Sequence, residues 1–312
     1  MIDAGMGRGG VRVERWRRVG AYGVLRDGAG RVLLARGAAG GPYPEVWQLP
    51  GGAVEHAEHP ADAVVRGFAA ETGLTVAVGA VRAAVADVAV FRADAVAVHT
   101  DRLVFEVEGR GGRSRPEPAG GSDELGWFTP DEATDRLLMP FTAELLGLPV
   151  SPLPADLPRV PPAAPATDRR QRFAAYGLVT DPDDRVLLTM IAPGYPGAGR
   201  WHLPGGGTDH GEQPAAGLLR ELVEEAGQLG RVVELLAVDN LHTPAALGPE
   251  GRPLDWHGIR VIYRVRVDAP TEAVVTELAG GSTARAAWFT RPQVAGLSMT
   301  EVAVRATGRR VS

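Results

Sequence analysis

Apolar and polar positions alternate between two rhythms along this chain. Ala174 to Thr180 and Arg185 to Met190 are short apolar runs on either side of Asp181-Pro182-Asp183-Asp184. Turn-forming residues between two such runs predict a hairpin. From Gln213 to Ala226 the period lengthens, and Ala215, Leu218, Leu219, Leu222 and Ala226 fall on one stripe, which predicts a helix. Pro214 suits its first turn and Gly227 its stop. Further strands follow, of which His257 to Val267 is the clearest, and a last helix comes after a Trp288-Phe289-Thr290 strand. The pattern is mixed α/β.

The same pattern occurs upstream, where Pro60 and Gly73 hold the two helix posts. Ala21-Tyr22-Gly23 returns as Ala175-Tyr176-Gly177, Arg31-Val32-Leu33-Leu34 as Arg185-Val186-Leu187-Leu188, and Trp47-Gln48-Leu49-Pro50-Gly51-Gly52 as Trp201-His202-Leu203-Pro204-Gly205-Gly206. Between Ala21 and Leu74 the offset is a constant 154, with 23 identities in 54 positions. A bias toward Ala, Gly and Val does not hold a gap-free register through Trp, Tyr and Pro, so the chain is a duplicated domain. Trp127-Phe128-Thr129 matches Trp288-Phe289-Thr290 at an offset of 161, so the second copy carries extra residues before that point. The expected domains are 13–148 and 170–309, joined at 149–169 by a Pro/Ala-rich segment. Proline at that density blocks helix and central strand. Residues before about 13 read as a loose terminus.

Composition fits two buried cores in 312 residues, at 45% hydrophobic and 23% charged. Zero cysteines exclude disulfides, thiolate zinc sites and a thiol nucleophile. All 33 basic residues are Arg, which removes Schiff-base chemistry and a phosphate-loop lysine. A net charge of −5 argues against an extended nucleic-acid partner. No apolar run is long enough to span a membrane, and the first residues lack a secretory core, so the expected location is cytoplasmic.

The chemically informative stretch is Gly206 to Gly227. Glu212 follows Gly206 by six, Arg220 follows Glu212 by eight, and Arg220-Glu221-Leu222-Val223-Glu224-Glu225-Ala226-Gly227 closes it. On a helix, Glu221, Glu224 and Glu225 stand at i, i+3 and i+4 and share one face. Three carboxylates that close repel one another unless a cation sits among them. Hard oxygen ligands of this kind suit Mg²⁺ or Mn²⁺, which also take substrate phosphates as ligands. The bland alternative is a solvated acidic face with Arg220 and Glu224 as a simple ion pair. The fixed spacing to Gly205-Gly206, Glu212 and Gly227 speaks against it.

This stretch resembles the signature box of the Nudix hydrolases: Gly, five residues, Glu, seven residues, Arg-Glu-apolar-any-Glu-Glu-any-Gly-apolar. The second copy matches every specified position except the last, where Gln228 replaces an apolar residue and Leu229 is the candidate substitute. The resemblance covers both copies and implies two tandem α/β/α sandwiches with mixed sheets. It also implies metal-dependent cleavage of a small-molecule diphosphate, a nucleoside diphosphate linked to another group. Carried over by residue, Glu221, Glu224 and Glu225 would be metal ligands, together with the carbonyl of Gly205. Glu225 or a neighbour would polarise the attacking water. Arg220 joins the catalytic set, although it and Glu212 are read as holding loop and helix in shape. Gly205 and Gly206, with Trp201 and His202 just before them, are the substrate-side candidates. For Trp201 core packing is the stronger reading, and His202 faces either the cleft or the sheet.

The first copy departs from the box where the acids stand. Gly52, Glu58, Arg66, Glu71 and Gly73 are at their posts, but Gly67 and Ala70 occupy the places of Glu221 and Glu224. It is read as catalytically dead and as a packing partner or cleft wall. Glu55-His56-Ala57-Glu58-His59 is read as a solvated loop in preference to a replacement metal site. Tyr22 and Tyr176 are read as strand packing. The Pro/Gly-rich segment from His242 to His257 is a candidate recognition loop, and Glu250, Asp255 and Glu277 are candidates for an acidic ligand outside the box. The rival to an enzyme is a ligand sensor without turnover, which has no need of three metal-binding glutamates. An isopentenyl diphosphate isomerase of the same fold usually relies on a cysteine, which this chain lacks. Where many relatives pair two subunits, the duplication is expected to build the pair within one monomeric chain.

Overall fold

The computed structural model describes residues 13–116, 121–247, 253–276 and 281–308; Glu250 and Glu277 lie outside the described residues. The N-terminal copy runs β1 (Glu14–Leu25), β2 (Val32–Gly37), β3 (Trp47–Gln48), β4 (Gly51–Ala53), α1 (Pro60–Thr72), β5 (Leu74–Phe91), β6 (Val96–Gly112), β7 (Ser122–Phe128), α2 (Pro130–Thr134) and α3 (Pro140–Leu145). The C-terminal copy repeats that order as β8 (Arg169–Thr180), β9 (Val186–Ile191), β10 (Trp201–His202), β11 (Gly205–Gly207), α4 (Pro214–Ala226), β12 (Arg231–Leu247), β13 (Pro253–Arg266), β14 (Thr283–Phe289), α5 (Arg291–Ala295) and α6 (Glu301–Ala306).

Strand alternation explains the layers. In β8, Phe173, Ala175 and Val179 enter one apolar cluster while Leu178 and the half-buried Tyr176 enter another. In β1, Val19, Ala21 and Leu25 oppose Tyr22 and Val24 in the same way. Successive side chains point to opposite faces, so a central strand buried on both sides needs a cover on each. The first face is covered by α1 through Val64 and Phe68 and by α4 through Leu218 and Leu222. The second is covered by α3 through Phe141 and by α6 through Val302 and Ala303. Each copy is therefore a sheet layer between helices.

Both sheets are mixed. β1 runs parallel to β6 and β8 parallel to β13, while the other pairings among the described residues are antiparallel. The order β10-β9-β8-β13-β12 forms one sheet in the C-terminal copy, whereas β3-β2-β7 stands apart from β4-β1-β6-β5 in the other. In the segment His242 to His257, expected as a loop, residues 242–247 and 253–257 are paired strands instead, with β12 and β13 laddered from Arg231 opposite Arg266 to Leu247 opposite Pro253. Its prolines misled the pattern because Pro244 falls in a register shift between Thr243 and Ala246, where a missing N–H is tolerated.

The two copies share a core. One apolar cluster runs from Ala21, Phe68 and Leu103 into Ala175, Leu222 and Val261. Polar pairs close the seam. The Gln213 amide exchanges both bonds with the Ala86 backbone, at 2.9 and 2.6 Å, instead of capping α4. Arg17 pairs with Asp101 at 2.7 Å and reaches Thr208, and Gly211 N donates to His99 at 2.7 Å. Between the copies, residues 149–168 carry neither helix nor strand, and Leu153 and Leu157 pack on the N-terminal core.

Candidate active site

The site is built on a turn that only glycine accepts. Gly205 has φ 131°, and a Cβ there would stand 2.2 Å from the Ala175 carbonyl oxygen. The turn presses β11 onto β8 and brings its backbone to the last turns of α4. Glu225, on that turn, accepts from Gly205 N at 2.9 Å and from the Thr283 hydroxyl at 2.5 Å. It is 5% exposed, and burial pushes its carboxyl up to about 7. Glu71 repeats the bond in the first copy, accepting from Gly51 N at 3.1 Å, and burial pushes it up to about 8.

Glu221 and Glu224 face outward from α4 into a cavity of about 480 Å³. Glu221 lies against Gly206, where a Cβ would meet its carboxyl carbon at 2.8 Å. Burial raises its pKa, and the Arg220 guanidinium opposes that shift. Arg220 grips Glu212 with two bonds of 2.9 and 3.1 Å, donates to the Gly207 carbonyl at 3.2 Å, and sets Nη1 3.0 Å from Glu221 and 3.4 Å from Glu224. Arg66 and Glu58 keep the same clasp in the first copy, at 2.8 Å. Gln228 holds the apolar post of the box by satisfying its amide, accepting from Thr271 N at 3.0 Å and donating to the Thr271 hydroxyl at 2.9 Å. Leu229 does not substitute for it, being 82% exposed.

The same cavity is lined by two cations, Arg172, whose guanidinium lies against Gly207, and Arg260. Arg172 lies 5.9 Å from the Trp256 ring centroid, and Arg260 pairs with Asp239 at 2.5 Å. Trp256, Leu241 and Tyr176 complete the apolar lining. Tyr176 is thus more than strand packing. Sequence reasoning missed both arginines, although Arg260 interrupts the run Ile259-Arg260-Val261-Ile262, a charge inside a buried strand that asks for an explanation. A neighbouring cavity of about 560 Å³ shares Gly205 and Arg260 and adds Glu225 and His202. His202 faces the cleft side: its Nδ1 lies 2.6 Å from the Thr300 hydroxyl, and burial pulls its pKa down to about 3, which keeps it neutral. Trp201 lines neither cavity. It sits in the core, 7% exposed and edge-on to Phe289 at 4.7 Å, because the short strand β10 turns it toward α6.

In the first copy the corresponding space is filled. A Cβ on Gly67 would lie 2.8 Å from the Gly51 carbonyl carbon, so helix and glycine turn have closed on each other. Arg102, which pairs with Gly20 as Arg260 does with Ala174, is 1% exposed, bonded to Asp87 at 2.7 Å and stacked 4.5 Å from Phe141.

A doubly repeated sheet between helix layers, with a glycine turn clasped to an acidic helix, defines the class. The NUDIX domain family model matches residues 16–146 and 170–306, and the chain belongs to the Nudix hydrolase family, with two such domains in tandem. Enzymes of this family generally use divalent metals. The chain is 32% identical to a MutT-like protein of Streptomyces ambofaciens over 132 residues, 41% of this chain and 74% of that protein. It is 38% identical to human diphosphoinositol polyphosphate phosphohydrolase 3-alpha over 69 residues, 22% of this chain and only 40% of the length of that relative. Among solved structures, a MutT Nudix hydrolase from Burkholderia pseudomallei aligns at 25% identity over 46% of this chain and all of its own, with a TM-score of 0.35. An ADP-ribose pyrophosphatase from Streptococcus suis aligns at 19% identity over 42% of this chain and 87% of its own, with a TM-score of 0.31. No helix among the described residues is long and apolar enough to cross a membrane.

Proposed function

We propose that the C-terminal copy is a pyrophosphohydrolase, cleaving the diphosphate bond of a nucleotide-type or related small molecule with the help of Mg²⁺ or Mn²⁺. The observation that carries the proposal is the one cavity that Glu221, Glu224 and the Gly205–Gly207 turn share with Arg172, whose guanidinium lies against Gly207, and with Arg260. Acids alone would repel a diphosphate, and arginines alone would bind it without activating water.

The residues fit a divalent cation. The donors are all hard oxygens, and Glu221 is a desolvated carboxylate whose nearest cation is the movable tip of Arg220. Glu221, Glu224 and Glu225 with the Gly205 carbonyl would hold the metal. Bound there, a cation neutralises phosphate charge and lowers the pKa of a coordinated water. Arg172 and Arg260 take the phosphate oxygens, and the Trp256 face receives the group beyond them. Glu225 keeps the glycine turn in place from behind, and Arg220 with Glu212 holds the loop to the helix. Water adds to one phosphorus, the P–O–P bridge breaks, and two phosphate products leave. The N-terminal copy, without Glu at 67 and 70, serves as a brace, since all the lining residues of both cavities come from the C-terminal copy.

The test is product analysis by mass spectrometry in ¹⁸O-water. The panel includes nucleoside triphosphates, ADP-ribose, dinucleotides, nucleotide sugars and a prenyl diphosphate, each with and without Mg²⁺. Metal-dependent turnover of one class, abolished in Glu224→Gln, is the expected result. Tight binding with no turnover of any class would make the protein a sensor instead. Trp256→Ala is expected to raise KM more than it lowers kcat.

A further inference from the structure

The seam between the copies holds a second cluster of ligating side chains, away from the acidic helix. His56 comes from the loop after β4 of the N-terminal copy, and His242 and Asp255 from facing strands β12 and β13 of the C-terminal copy. One donor atom from each lies within 4.8 Å of the other two. We infer that His56, His242 and Asp255 form a binding site for a transition-metal ion, Zn²⁺ foremost, that bridges the two domains.

Glu55 and Ala57 are exposed as the sequence suggested, but His56 between them is turned inward. The His56 side chain is 10% exposed. Its buried Nε2 has no hydrogen-bond partner, although it stands 3.0 Å from Asp255 Oδ1. His242 Nε2 approaches the same oxygen at 2.7 Å. Two imidazole nitrogens thus converge on one carboxylate oxygen, with the buried one not aligned to bond it. A shared cation uses all three atoms. Two nitrogens and one carboxylate suit Zn²⁺ at about 2.0–2.2 Å per ligand, with water in a fourth position, and exclude Mg²⁺ by preference.

The next shell is braced. His257 lies with its ring 5.4 Å from His56, but both of its nitrogens are engaged, Nε2 with Asn240 at 2.6 Å and Nδ1 with Gln171 at 3.2 Å. Gln171 also donates to the Val54 carbonyl at 3.2 Å, so the support itself crosses the seam. These bonds hold the His257 ring against which the His56 ring packs.

The duplication supplies an internal comparison. On the mate face of the seam, His210 holds the place of His56, its ring 5.4 Å from that of His99, which pairs with Arg17 as His257 does with Gln171. Val88 stands opposite His99 where His242 stands opposite His257, and Ala97 precedes His99 by two as Asp255 precedes His257. An Arg17–Asp101 ion pair at 2.7 Å closes that face instead. His210 shares with His56 a buried Nε2 without a hydrogen-bond partner, but its face carries apolar residues at the other two posts, so only one seam face has three ligands. The metal would tie the strand pair that bears Leu241 and Trp256, both lining the candidate active site, to the first copy.

The test uses the tag-free full chain in the Glu221→Gln/Glu224→Gln background, so that the acidic helix does not contribute. Protein stripped with a chelator is titrated with Zn²⁺ in competition with a chromophoric chelator, in excess Mg²⁺. One Zn²⁺ per chain is expected. A loss of at least about tenfold in affinity is expected in each of His56→Gln, His242→Ala and Asp255→Asn, with no change in Val88→Ala. Zn²⁺ should also raise the thermal midpoint of the parent and not of His242→Ala. His242 and Asp255 are partly exposed, and equal metal-free midpoints would show that their variants fold. No competitive binding by the parent, or equal binding in the His242→Ala and Asp255→Asn variants, would overturn the site and leave a hydrogen-bonded clamp. Neither result depends on whether the acidic helix is catalytic.

Discussion

Glu225 and Glu71 are the one acid of the triad that both copies keep, and their contacts explain why. Each is buried against the glycine turn and accepts its N–H, so each holds the fold whether or not its copy has chemistry to do. Glu221 and Glu224 make no such bond, and they are the two that the first copy has lost. Glu224→Gln is therefore expected to leave the fold intact and lower metal-dependent turnover by on the order of 10²-fold or more, checked by steady-state kinetics beside an unfolding curve. Near-parental rates would remove Glu224 from the mechanism. Glu71 gives a pH dependence. Its carboxyl ionises near 4.5 when unfolded and near 8 when folded, so between those values the native state holds the extra proton. Stability contributed by this group is then present at low pH and falls as pH rises through that window, with the full cost remaining above it. Glu71→Gln keeps an uncharged acceptor for Gly51 N–H. It should flatten that fall and add on the order of 1–3 kcal/mol at pH 9, measured by urea unfolding at pH 5, 7 and 9. Curves that stay parallel to those of the parent would contradict it.

The loop that feeds α4 works because two adjacent glycines are needed for different reasons. Gly205 needs its left-handed φ and the close approach to Ala175, so Gly205→Ala strains the backbone and should cost on the order of 2 kcal/mol or more. A Cβ at Gly206 meets only the movable end of Glu221. Gly206→Ala should therefore unfold at the parental denaturant concentration while losing metal-dependent activity. Equal effects of the two substitutions on stability would show that the turn is not built this way. The helix itself was legible in the chain from its apolar stripe, Pro214 and Gly227. Of the strand pair β12–β13, the run from His257 was legible, but the stretch from His242 was not, because Pro244 sits in a register shift that only the ladder reveals.

The whole molecule pairs its halves through a common apolar cluster and a polar seam, which is why a copy without the acidic set persists as a folded unit. Light scattering after gel filtration should give a monomer of 32.8 kDa, and a stable dimer at micromolar concentration would refute an intramolecular pair. Breaking the seam at Gln213→Ala deletes two bonds to Ala86. It should lower the thermal midpoint without changing the metal requirement of catalysis, as differential scanning calorimetry and a Mg²⁺ titration of the rate would show.

Short-range order carried the duplication, the acidic helix, its glycine turn and the loss of two acids from the first copy. The duplication shows as a constant offset of 154, and the others are a matter of spacing within about one helix and its flanking turns, where geometry follows from sequence separation alone. Only tertiary structure set Arg172 and Arg260 in one cavity with those acids, turned Trp201 into the core and Trp256 to the cavity, and joined His56 to His242 and Asp255. Those residues come from distant strands and from both copies. Their meeting depends on strand register and on how one sheet packs against the other, neither of which local spacing encodes.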